Sequence, residues 1–223
     1  MSFDWRRELP HWALVGAMFA LGVLSWPEAP DRIPVHWNLA GEVDRWGGRF
    51  EGLFAVPLMG AGVYLLLLFV PRIDPGRANY ASFRQAYDVV RLSVLVVLAA
   101  VHASMNASLH GLPLGPPTVV PLAVGALLIV LGNFMGKFRP NWFVGIRTPW
   151  TLSSAQSWSR THRAGGWVFV TGGLLLMAAA ALPWLVVPAL VVVVGGSLGL
   201  VAFSYVAWKA DPDKRPPAGR SPA

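Results

Sequence analysis

The 223-residue sequence has no cysteine, which excludes disulfides, thiolate metal sites and cysteine nucleophiles. Charge is scarce too. Asp, Glu, Lys and Arg make up 13% of the chain, about half of the roughly 25% usual in soluble domains. There is no Gly-rich phosphate loop, no dinucleotide fingerprint, no H-E-x-x-H pair and no Ser-His-Asp spacing. The chain therefore reads as a non-enzyme without a cofactor. No second histidine stands at zinc-ligand spacing from His36, so no metal is expected. An inverted internal repeat of the transporter kind is also missing. Arg6 and Arg7 precede the first apolar run as they would in a signal peptide, but Trp26-Pro27-Glu28 is a poor cleavage site, and a retained helix is expected.

What is present is apolar. Hydrophobic residues make up 55% of the sequence and mean hydropathy is +0.52. They fall in blocks close to the ~20 residues that a membrane-crossing helix needs. Six spans are expected, at about 11–26, 52–71, 89–110, 119–136, 166–185 and 188–208. Pro183, Trp184 and Pro188 divide the last two, because proline cannot continue a helix. The fold class is thus an all-α polytopic membrane protein with six transmembrane helices. Fifteen Lys and Arg fall in the two termini and the even-numbered loops, against Arg32, Arg45 and Arg49 on the other side. The positive-inside rule then makes both termini cytoplasmic. The net charge of +7 is read as a basic face toward anionic lipid, not as a nucleic-acid surface. The expected divisions are a tail 1–10, a membrane domain 11–88 with an outer loop 27–51, a second membrane domain 89–208 with a cytoplasmic loop 137–165, and a disordered Pro-rich tail 209–223.

Three polar clusters stand out. In the outer loop, His36 has Asp31, Glu42 and Asp44 as acidic neighbours. Trp37 and Trp46 suit an interfacial belt, while Asn38, Gly41 and Gly47 supply turn geometry. A docking loop and a plain turn both fit. In the third span, His102, Asn106 and His110 recur every four residues on one helical face. They either hydrogen-bond between helices or approach His36 around an outward cavity. The third cluster runs from Gly132 to Gly166 and interleaves aromatic with basic residues. Ser153 and Gln156 look like a capping box that opens a short interfacial helix near 154–163, with Trp158, Thr161 and His162 on one face.

The third cluster also carries a pattern. Asn133, Lys137, Asn141, the run Gly145-Ile146-Arg147-Thr148-Pro149-Trp150, Trp158 and His162 resemble the SdpI-type immunity protein family. The outer motif from Pro34 through His36, Trp37, Asn38 and Gly41 to Asp44 is similar to a membrane domain of unknown function often found ahead of it. The resemblance implies a multi-pass protein of the bacterial inner membrane whose founding members protect against a secreted, membrane-active peptide toxin. It also implies that such proteins hold a transcriptional repressor at the membrane. The expected partners are therefore the lipid bilayer, a peptide toxin outside and a repressor inside, with no direct nucleic-acid contact. A small transporter or channel with a polar path lined by His36, His102 and Asn106 is the alternative.

Overall fold

The computed structural model describes residues 4–215. Helix α1 (Trp5–Ser25) starts at Asp4, whose carboxylate accepts from the Arg6 amide at 3.2 Å and so satisfies one free donor of the first turn. An antiparallel hairpin follows, β1 (Ile33–Trp37) and β2 (Val43–Gly47). Next come α2 (Arg49–Ile73), a 3-10 segment (Arg77–Phe83) that runs into α3 (Arg84–Leu109), and α4 (Pro116–Met135). The single turn α5 (Pro149–Leu152) leads to α6 (Ala155–Ala178). The last helical run comprises a 3-10 turn (Pro183–Leu185), α7 (Val186–Leu190), a π-turn (Val191–Gly195) and α8 (Gly196–Lys209).

Among the described residues, five segments are long and apolar enough to cross a membrane: Trp5–Ser25, Arg49–Ile73, Arg77–Leu109, Pro116–Met135 and Pro183–Lys209. The expected fifth span, at about 166–185, begins within α6, which is not among them. This helix has 24 residues, but its first turns carry Arg160, His162 and Arg163. The expected short interfacial helix and the expected fifth span are one continuous helix. Its N-cap is Ser154, which accepts from the Ser157 amide at 2.9 Å, whereas Ser153 ends α5. Gly165-Gly166 does not break the helix, because both glycines are there for packing.

That packing joins α4 to α6. Gly125 and Gly132 on α4 face Gly173 and Gly166 on α6. A Cβ on Gly173 would lie 2.6 Å from the Gly125 carbonyl oxygen, and one on Gly132 would lie 2.7 Å from that of Gly166. In lipid, where apolar surface gains nothing by leaving its solvent, such backbone approach gives helices the van der Waals contact that holds them together.

The all-α expectation is corrected at the hairpin. Asn38 turns the chain there: its side-chain oxygen accepts from the amides of Ala40 at 2.9 Å and Glu42 at 3.0 Å. Gly41 takes the positive φ of 81° that the turn requires. The irregular register around Pro34 and His36 hides the strand alternation in the sequence. Ile33, fully buried, packs with Ala29 and Leu53 and anchors the hairpin to α2. At the tip, Gly41 lies against Pro117 at the start of α4.

At the opposite end of the bundle, Val70, Tyr80, Phe83, Tyr87, Val90, Phe138 and Trp158 form a core that joins the two halves of the chain. Of the C-terminal tail, residues 209–215 fall within the described region; Asp211 is buried, and hydrogen bonds tie the segment to the start of α6. The Arg215 amide donates to the Ser153 carbonyl at 3.1 Å and the Ser154 hydroxyl donates to Asp211. That bond holds the Asp211 carboxyl below its usual range. The rest of the expected disordered tail lies outside the described residues.

Candidate functional site

The hairpin brings His36 and Asp44 together from neighbouring strands. The imidazole Nδ1 lies 2.6 Å from the carboxylate, and both side chains are open to solvent. Asn38, in the turn, also donates to Glu42 at 3.0 Å. Two arginines of this face are already paired, Arg45 with Glu51 at 2.7 Å and Arg49 with Asp31 at 3.0 Å. His110 ends α3 and lies 4.0 Å from Glu28. Around these polar groups stand the exposed apolar side chains Leu39, Trp46, Phe50, Leu112 and Leu114.

His102 and Asn106 are instead interior. His102 has no solvent exposure. Its Nε2 lies 3.1 Å from the Met18 carbonyl oxygen of α1, which makes that nitrogen the donor. Asn106 donates to the His102 carbonyl at 2.9 Å. The three histidines His36, His102 and His110 therefore take three separate partners: Asp44, the Met18 carbonyl and Glu28. Among the described residues no group of three or more His, Asp or Glu is arranged to hold a metal ion.

The loop between α4 and α5 is a platform bonded to itself. Asn141 is fully buried; its side-chain NH2 donates to the carbonyls of Arg139 and Val144, and its oxygen accepts from the amides of Phe143 and Val144. Gly145 adopts a positive φ of 101°, which turns the Ile146 amide onto His162 Nε2 at 3.0 Å. Because Nε2 accepts, the proton sits on Nδ1, which donates to the Trp158 carbonyl at 2.8 Å. His162 stacks on Trp158 with ring centroids 4.0 Å apart. The Trp158 indole donates to the Phe138 carbonyl at 2.9 Å.

Thr148 caps α5 in a reciprocal box with Thr151, and Pro149 fills the first helical position, where no amide donor is missed. Arg147 reaches the Trp142 carbonyl at 2.8 Å, and Trp150 packs edge-on against Tyr205. The buried members of the G-I-R-T-P-W pattern are thus pins. Lys137, Arg139, Trp142, Phe143 and Arg147 remain on the surface. Asn133, also at the surface, donates only to its own helix at Ile129.

Two groups that the sequence reading missed hold this arrangement. Asp74, almost wholly buried, accepts from the Gly76 amide at 2.6 Å, the Tyr80 hydroxyl at 2.8 Å and the Trp142 amide at 3.1 Å. Asn79 adds a bond to the Pro140 carbonyl at 2.6 Å. Together they latch the α2–α3 connection to the α4–α5 platform. The second group is the buried pair of Glu8 and Arg91, bidentate at 3.1 and 2.8 Å between α1 and α3. The guanidinium lies between the Tyr64 and Tyr87 rings.

Known families match the same two regions. Residues 137–206 match the model of the SdpI/YfhL protein family, and residues 13–61 match a domain of unknown function (DUF1648). The SdpI-type resemblance holds, and the chain is a multi-pass bacterial membrane protein. It is 24% identical over 163 residues to the immunity protein SdpI of Bacillus subtilis (strain 168), an alignment that covers 73% of this chain and 76% of that protein. No solved structure gives a significant match.

Proposed function

We propose that the chain is a six-span immunity or sensor protein for a secreted, membrane-active peptide, with both termini in the cytoplasm. Support comes from the similarity to a protein named for immunity. The observation that carries the reading is the presence of two ordered faces at opposite ends of the bundle, clasped by Gly41 against Pro117 at one end and by Asp74 against Trp142 at the other. In this reading α6 supplies the remaining span from about residue 166. The hairpin, with His36, Trp37, Asn38 and Asp44, meets the peptide beside His110. His102 and Asn106 brace α1 against α3 behind it. The inner platform, from Lys137 to His162, is the surface that would hold a transcriptional repressor. The transporter alternative has less support, because buried Met18 and Leu95 close on Gly60 among α1, α2 and α3.

The absence of cysteine makes the topology directly testable. A single cysteine at Ala40 is expected to react with a membrane-impermeant maleimide in intact cells, whereas one at Gly136 is expected to react only after permeabilisation. The reverse pattern would overturn the orientation. A deletion strain is expected to become at least several-fold more sensitive to membrane-active peptides. Unchanged inhibitory concentrations would count against immunity.

A further inference from the structure

Acidic residues are unevenly placed. None occurs from Val89 to Ala210, a stretch that includes Lys137, Arg139, Arg147, Arg160 and Arg163. The Asp74 latch sets the first three of these beside the α2–α3 connection, which adds Arg72 and Arg77. The acid in these two connections is Asp74 itself. It is 1% exposed and its oxygens already accept from Gly76, Tyr80 and Trp142. It therefore offers no outward counter-charge. Among the described residues, none of Arg72, Arg77, Lys137, Arg139 and Arg147 forms an ion pair with a carboxylate.

Two of these cations lie over aromatic rings at helix ends, Arg72 over Phe69 at 5.1 Å and Lys137 over Phe134 at 4.6 Å. Such snorkelling is expected where an apolar helix leaves the hydrocarbon. Beside them Trp142 is 51% exposed and Phe143 40% exposed. Their backbones are fixed by Asp74 and Asn141, so the rings are presented on a rigid frame. Amphipathic aromatics beside unpaired cations at a membrane boundary match the chemistry of the headgroup layer.

We propose that this rim, with Trp142 and Phe143 as anchors, is a binding surface for an anionic phospholipid of the adjacent leaflet. It takes its leaflet from the orientation proposed above, but binding in detergent is independent of both that orientation and immunity. The full chain in neutral detergent is titrated with phosphatidylglycerol or phosphatidylcholine, and bound lipid is read by native mass spectrometry. Phosphatidylglycerol is expected to bind preferentially and to be displaced by salt.

The variant R77Q/K137Q/R139Q removes three cations whose side chains make no hydrogen bond or ion pair among the described residues, Lys137 keeping only its contact with the Phe134 ring. It is expected to weaken phosphatidylglycerol binding about a hundredfold, since each basic residue near an anionic surface contributes about fivefold. W142A, which leaves the backbone latch intact, is expected to weaken binding of the same lipid severalfold. Unaltered thermal melting of both variants separates lost binding from lost folding. Equal binding of the two lipids, or full binding by the triple variant, would overturn the proposal. So would selective capture of an acidic peptide such as polyglutamate with no preference for phosphatidylglycerol.

Discussion

Replacing Gly145 by alanine is expected to destabilise the protein by about 2–5 kcal/mol. Two costs combine. A φ of 101° is a backbone region that an L side chain enters at roughly 1–2 kcal/mol. The new Cβ would also drive into His162 Nε2, breaking the bond from the Ile146 amide and leaving buried polar groups unpaired at roughly 1–3 kcal/mol. Native proteins are stable by only about 5–15 kcal/mol, so a marked drop in melting temperature and in membrane yield follows. Gly136→Ala is the control, because its φ is −68° and its Cβ would meet nothing within 4 Å. Equal melting temperatures for the two variants would show that the loop does not depend on this turn.

Glu8→Gln is expected to cost a similar amount, about 3–5 kcal/mol, because it leaves the Arg91 charge buried without its bidentate partner. Both side chains are under 8% exposed, so water cannot replace the lost carboxylate. Asp88 lies 3.6 Å from Arg91 but is shared with Arg7 at 3.3 Å and Arg84 at 3.9 Å, so it compensates little. The double variant Glu8→Gln/Arg91→Met removes the stranded charge and is expected to recover most of the stability. Thermal melts of the purified protein in detergent measure both. A single variant as stable as the parent would show that the pair contributes nothing to holding α1 against α3.

The sequence was most legible where its chemistry is local. Long apolar runs located the helices, and Trp158, Thr161 and His162, read as one face of an interfacial helix, form a face that is buried. The turn residues Asn38 and Gly41 were read correctly, yet the strands around them were not. Strand alternation in a five-residue segment interrupted by Pro34 carries almost no signal. Gly166, where the fifth span was expected to begin, lies inside α6, and its lack of a side chain admits the α4 backbone at Gly132.

Arg91 was counted with the basic loop residues and Glu8 was assigned to a tail. Their pairing across 83 positions is a tertiary fact that no local window contains. Asp74-Pro75-Gly76 reads as a turn, and Asp74 does accept from the Gly76 amide. Its further role, receiving the amide of Trp142 from the other half of the chain, depends on how the two connections meet. The site residues follow the same division. The motif spanning residues 133–162 was visible as a pattern, but only geometry separates its pins, such as Asn141 and His162, from its exposed face.

Survival in conditioned medium tests the central claim most directly. A deletion strain and the same strain carrying the gene are exposed to culture fluid from their own dense siblings, and viable cells are counted over time. Protection predicts at least a tenfold loss of viability in the deletion strain. The parent gene should restore survival, whereas a His36→Ala version that inserts at normal levels should not. Equal survival of the deletion and complemented strains would contradict an immunity role.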